Sequence, residues 1–353
     1  MKHRRAIPLV FALALIGAAC SPGTGTTTTA PGSAPAGGTP AASAPATSGE
    51  ASMQPSLGAG EDPEELVLGL VPSREADVLV ENAQPLVEYL AQELDIPVEG
   101  FVPTDYPGLV AAMRTGQAHI GAFGPFGLVQ AADEAGAEII LQSGRDGSVT
   151  YHTQWMTNNP HKYCLDGEPE ANDEGLLFCN GTLDATEGPA GEDAIAMIED
   201  GTTVSFVGET SASGYIFPAV QLVNADIDHV EGIDPLFAGG HDTSVIAVCN
   251  GDAEVGVSFN DARTILAEGD CDDLSQVVVF ALSPEIPNDG VAVAGNLSDE
   301  LKENIKQAFL SFADTEEGKA TLDAVYEIDE FAEADLDAFD VVREAAEKVG
   351  GSD

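Results

Sequence analysis

Residues 66–144 read LVLGLVPSREADVLVENAQPLVEYLAQELDIPVEGFVPTDYPGLVAAMRTGQAHIGAFGPFGLVQAADEAGAEIILQSG. The opening run, Leu66 to Pro72, is short, apolar and ended by a turn signal, which predicts a buried parallel strand. In the next segment Val78, Leu79, Leu86, Val87, Leu90 and Leu94 recur at helical spacing. The pattern then repeats: VEGFVPT as strand, PGLVAAMRTG as helix, HIGAFG as strand, FGLVQAADEAG as helix and EIILQSG as strand. Strands alternating with helices predict βαβ units, an α/β fold and a mostly parallel sheet.

A second series begins after residue 200, with TTVSFVG as strand, ETSASG as turn and YIFPAVQLVNA as helix. DTSVIAVCNG and VGVSFND continue it, QVVVFALS adds a strand, and the tail from Leu297 to Val349 reads as helices. Two α/β halves predict two lobes with a cleft between them. Ligands of open α/β sheets sit beyond the carboxyl ends of strands, so the strand-to-helix turns are the places to search.

The start of the chain has another character. Lys2, His3, Arg4 and Arg5 precede the apolar run AIPLVFALALIGAA. That run is too short to cross a bilayer with margin, so residues 1–19 are expected to be an export signal. Cys20 follows Ala18 and Ala19 as in a bacterial lipobox, although Gly17 stands where Leu is usual, and it is the expected lipidated residue. The stretch 20–62 is rich in Gly, Ser, Thr, Ala and Pro with almost no large apolar side chains, the composition of a disordered tether.

Sixty acids stand against 13 Lys and Arg, a net charge of −47, which excludes nucleic acid as a partner and limits membrane contact to the lipid anchor. Such a surface suits solubility in concentrated salt. It does not forbid an anionic ligand, because charges more than about 8 Å apart are largely screened at physiological ionic strength. Cys164, Cys179, Cys249 and Cys271 make an even set, as expected of disulfides in an exported domain. Three pairings are open, and the nearest-neighbour one joins Cys164 to Cys179 and Cys249 to Cys271. No CxxC pair and no histidine at ligand spacing supports a metal site. No cofactor is expected.

The turn Val207-Gly208-Glu209-Thr210-Ser211-Ala212-Ser213-Gly214-Tyr215 is the most informative. A helix start offers unpaired N–H groups and a positive dipole end, and hydroxyl side chains add donors. One Ser there would be an ordinary cap; three hydroxyl residues within four positions point to a tetrahedral oxyanion. Here the sequence resembles the phosphonate, phosphite and phosphate binding proteins of ABC importers. TDYPGLVAAMRTG, TSASGYIFPA, GGHDTSVIAVCNG, SPEIPNDG and LSDELKENIKQAFLSF stand in that family's order and spacing.

The resemblance implies a type II periplasmic-binding-protein fold: two α/β lobes, two hinge segments and a ligand cleft. The first lobe is expected at 63–153 and 277–350, the second at 154–276. It implies that Ser211, Ala212 and Ser213 surround the phosphoryl oxygens, with Ala212 replacing a Thr. It implies that Tyr106, Tyr151 and His241 donate to them. Asp261, which replaces a Glu, and Asp289 match carboxylates that hold the ammonium of an aminoalkylphosphonate. A protonated phosphate or phosphite could use the same acids. The implied partners are a permease and an ATPase, with a monomer as the binding unit. The alternatives are a binder of a sulfonate or sulfate, a sensory or scaffold lipoprotein, and a hydrolase using His241 with Asp242 or Ser213. The hydrolase has no GxSxG, HExxH or P-loop behind it.

Overall fold

The computed structural model describes residues 62–185 and 188–350. The expected signal, Cys20 and nearly all of the tether lie outside them. Two large sheets carry the fold. The first has six strands in the order Glu330–Glu333, Glu138–Gly144, Gly290–Val293, Ile120–Phe123, Leu66–Leu70 and Val98–Phe101. The second has seven, in the order Asp234–Phe237, Thr203–Phe206, Val255–Phe259, Thr153–Thr157, Val278–Leu282, Leu177–Phe178 and Glu170–Ala171.

Helix Ala76–Leu94 shows why the first sheet is covered. Leu79, Ala83, Leu86, Val87 and Leu90 form its buried stripe, and Leu66, Leu68 and Leu70 meet them in one core. In the second sheet the strands are buried on both faces. Trp155, Val278 and Phe280 enter one core, while Met156 and Val279 enter the other. Alternate residues of one strand point to opposite faces, so a continuous apolar run is what a doubly covered strand requires.

The chain passes between the sheets twice, and the crossing segments Thr150–Tyr151 and Ile286–Pro287 pair antiparallel, Tyr151 with Ile286 and Thr150 with Pro287. They are the two hinge segments. The crossings correct two expectations. The sheets are mixed, not mostly parallel: Thr153–Thr157 and Gly290–Val293 run antiparallel to both neighbours. A strand arriving from the other lobe enters its sheet from the opposite end. The return to the first sheet also comes later than residue 277, because Val278–Leu282 pairs with Thr153–Thr157 in the second sheet.

The tail is not all helix. Helices Asp299–Ala313 and Glu316–Tyr326 are followed by strand Glu330–Glu333, which pairs with Glu138–Gly144 at the sheet edge. The charged residues of EFAE mask a helix-or-strand choice that the edge position settles. Helix Asp340–Gly350 then packs on both Pro125–Ala135 and Phe217–Asn224, touching both lobes. Cys164 is bonded to Cys179 and Cys249 to Cys271. Among the described residues no helix is long and apolar enough to cross a membrane.

Candidate functional site

The turn after strand Thr203–Phe206 is tightly held. Val207 N–H donates to the Gly214 carbonyl at 3.0 Å, and Ser211 N–H to that of Gly208 at 2.9 Å. The Ser211 hydroxyl accepts from Gly214 N–H at 3.1 Å. Gly214 is required here, since a Cβ would lie 2.4 Å from the Val207 side chain. Ser211 thus caps a wide π-turn, Ala212–Ile216, which leads into helix Phe217–Asn224. Among the described residues the N–H groups of Ala212 and Ser213 make no backbone hydrogen bond, the condition in which they are free for a ligand.

This turn forms one wall of a cavity of about 120 Å³ between the lobes. Thr210, Ser211, Ala212, Ser213, His241, Phe259 and Asn260 come from the second lobe. The first lobe supplies Ser73 and Arg74 after strand Leu66–Leu70, Tyr106 at the head of helix Tyr106–Arg114, and Tyr326 with Glu327. Arg145, Tyr151 and Asp289 come from the hinge crossings. The lobes meet directly: His241 N–H donates to the Ser73 carbonyl at 2.9 Å.

Seven of the eight expected ligand residues line this cavity: Tyr106, Tyr151, Ser211, Ala212, Ser213, His241 and Asp289. Asp261 does not, which corrects that expectation. Its carboxylate turns into the second lobe, where Arg263 holds it at 2.5 Å and Gln154 Nε2 donates at 3.1 Å. Arg263 has no exposed side chain, donates to the Leu177 and Val277 carbonyls, and lies over the Phe178 ring. A buried guanidinium demands a counter-charge, and the nearest acid in sequence supplies it.

Ser73, Arg74, Arg145, Asn260, Tyr326 and Glu327 line the cavity without having been singled out from the sequence, and Thr210, one of the three hydroxyl residues of the turn, joins them. A usable signal existed for the arginines. Cations are rare in this chain, and Arg74 and Arg145 each follow a strand of the first sheet, the position the search rule favours.

Burial pushes both tyrosine hydroxyls up, so Tyr106 and Tyr151 remain neutral donors. Tyr106 Oη, Ser73 Oγ and Thr210 Oγ1 are buried without a hydrogen-bond partner, which is costly unless a ligand completes them. Burial works against the charge of Arg145, but Asp289 at 2.6 Å more than restores it. The same guanidinium donates twice to the Tyr326 carbonyl, at 2.7 and 3.1 Å. Burial raises the Glu327 carboxyl, opposed by Arg74 and Arg145.

His241 Nδ1 lies 2.8 Å from Ser258 Oγ, leaving Nε2 as its other polar atom. Burial, aided by the charge of Arg74, lowers its imidazole from 6.5 to about 3, so the ring is neutral at physiological pH. The unfolded chain then binds the extra proton between those values, so falling pH favours unfolding across this window. His241 is expected to add a slope of up to about 1.4 kcal/mol per pH unit there. Urea unfolding at pH 7 and pH 5 checks this: His241→Asn should flatten the dependence, and an unchanged slope contradicts it.

The family pattern described as "ABC transporter, phosphonate, periplasmic substrate-binding protein" matches residues 68–339. The phosphate-import protein PhnD of Mycolicibacterium smegmatis is 27% identical over 289 residues, covering 76% of this chain and 80% of the relative. The phosphonates-binding periplasmic protein of Escherichia coli is 25% identical over 266 residues, covering 75% and 71%. Among solved structures, a binding protein of an ABC phosphonate transporter from Pseudomonas aeruginosa matches with a TM-score of 0.66 at 20% identity, covering 82% of this chain and 87% of the other. A methylphosphonate-bound protein from Prochlorococcus marinus matches equally, with a TM-score of 0.66 at 18% identity and coverage of 82% and 99%.

Proposed function

Because the chain belongs to the phosphonate periplasmic substrate-binding family of ABC transporters, we propose that its interlobe cavity captures a small tetrahedral phosphorus oxyanion for import. The observation that carries this reading is the set of unsatisfied buried hydroxyls, Ser73 Oγ, Tyr106 Oη and Thr210 Oγ1, all on one cavity. The free N–H groups of Ala212 and Ser213 face the same space from the second lobe. An oxyanion offers acceptors to every one of them, and charge-assisted bonds of this kind are the strong ones.

No bond is broken. Ligand seated on the Ser211–Ser213 turn recruits Tyr106, Tyr151 and Ser73 from the other side and favours the closed form, which a permease and its ATPase then engage. A hydrolytic relay fits the geometry less well: His241 pairs with Ser258, and Asp242 accepts from the backbone of Thr243. The mature protein is proposed to be a monomer held outside the membrane through lipid on Cys20. The first lobe then comprises 63–152 and 283–350, and the second 153–282.

Calorimetric titration with phosphate, phosphite, methylphosphonate and sulfate tests the reading. Ser211→Ala should weaken the preferred ligand by about 1.5–3 kcal/mol, or roughly 10- to 150-fold. His241→Ala should act in the same direction. Unchanged affinity in both variants would remove the cavity from ligand capture, and a preference for sulfate would assign it to sulfur oxyanions.

A further inference from the structure

The acid nearest the hinge crossings is already paired. Asp289 is bound to Arg145 at 2.6 Å, and Arg145 is fixed from behind by its two bonds to the Tyr326 carbonyl. Asp261 is bound to Arg263 inside the second lobe. Glu327 lies within the fields of both Arg74 and Arg145. Asp289 and Asp261 are thus ion-paired, while Glu327 has no ion pair among the described residues; the guanidiniums of Arg74 and Arg145 both line the cavity.

An ammonium entering this space would meet an Asp289 carboxylate already neutralised by Arg145 and a Glu327 carboxyl that burial holds toward its neutral form, with two guanidiniums nearby. Arg145 engages Oδ1 of Asp289, so an ammonium could bond only the second oxygen, beside a guanidinium whose charge repels it. Displacing Arg145 instead would leave a largely buried guanidinium without its counter-ion. The cavity is also compact, at about 120 Å³, with apolar side chains of Val71, Phe123 and Phe259 on its walls. A short alkyl group can rest against those side chains; a cationic arm cannot.

Resting on the oxyanion reading above, we propose that Arg145 is the specificity-determining residue, a built-in cation that occupies Asp289 and restricts the site to oxyanions without a cationic tail. Phosphate, phosphite and methylphosphonate belong to the accepted class, and aminoalkylphosphonates to the excluded one. Arg145 acts on the excluded class by neutralising the carboxylate such a tail would need and by repelling the tail's charge. This reverses the role that the resemblance assigns to Asp289.

The test is calorimetry with methylphosphonate and 2-aminoethylphosphonate on the folded protein and two variants. The native protein should bind 2-aminoethylphosphonate at least about tenfold more weakly than methylphosphonate, the size of one lost charge-assisted bond. Arg145→Gln should narrow or invert that ratio, because Asp289 is released. Asp289→Asn should keep or widen it, because the guanidinium remains and the acid is gone; this variant serves if Arg145→Gln does not fold. Equal or tighter binding of 2-aminoethylphosphonate by the native protein overturns the proposal and leaves the oxyanion reading intact. A ratio unmoved by Arg145→Gln, or improved 2-aminoethylphosphonate binding in Asp289→Asn, overturns it as well. Binding of neither compound, nor of phosphate or phosphite, overturns both.

Discussion

Asp261→Asn is expected to lower the stability of the folded chain by about 3 kcal/mol, at the lower end of the range for breaking a buried ion pair. The low end applies because the Asp261 side chain is 20% exposed while that of Arg263 is fully buried. The substitution preserves shape but strands the guanidinium, whose other partners are the neutral carbonyls of Leu177 and Val277. Oxyanion affinity should stay within about twofold, as expected of a change that leaves the cavity's donors in place. Urea unfolding and calorimetry read the two effects separately. A large loss of affinity with normal stability would return Asp261 to the ligand's surroundings.

Tyr106→Phe should move stability and affinity in opposite directions. The Tyr106 hydroxyl is buried without a partner, so deleting it should stabilise the ligand-free protein, by roughly 1–3 kcal/mol at most. The same deletion removes a donor to the bound anion, with an expected loss of about 1.5–3 kcal/mol in binding. Thermal melts with and without ligand show both: the variant should melt higher alone and gain less from ligand. A variant that melts lower alone would mean that the hydroxyl is satisfied before ligand arrives.

The periodic elements were readable because burial writes itself into spacing. Helix Ala76–Leu94 shows its stripe plainly, and strand Val278–Leu282 its doubly buried run. What the pattern lacks is direction and destination. Nothing in QVVVFALS tells which sheet receives it, or that it runs antiparallel to Thr153–Thr157. Glu330–Glu333 was hidden for a related reason: an edge strand needs only half its residues buried, and its exposed acids resemble those of the helices around it.

The site divides the same way. The Ser211–Ser213 turn is local, so its donors and its cap are visible in nine consecutive residues. Asp261 and Arg263 are two apart, yet their pairing depends on which way the backbone turns after Phe259. Arg145 and Asp289 are 144 positions apart, and the pairing of Gly290–Val293 with Glu138–Gly144 in the first sheet brings them together. Composition identified the acids as numerous; it took the fold to show that Asp289, at the cavity, is already matched by a cation.

The most direct measurement is a crystal structure of the mature protein grown with methylphosphonate. The ligand's oxygens should lie about 2.6–3.2 Å from the Ser211 and Ser213 groups and from the Tyr106 hydroxyl, as hydrogen-bonded atoms do, with Arg145 still on Asp289. A ligand bound elsewhere, or a filled cavity whose Tyr106 and Ser211 hydroxyls remain without contact to it, would contradict the account.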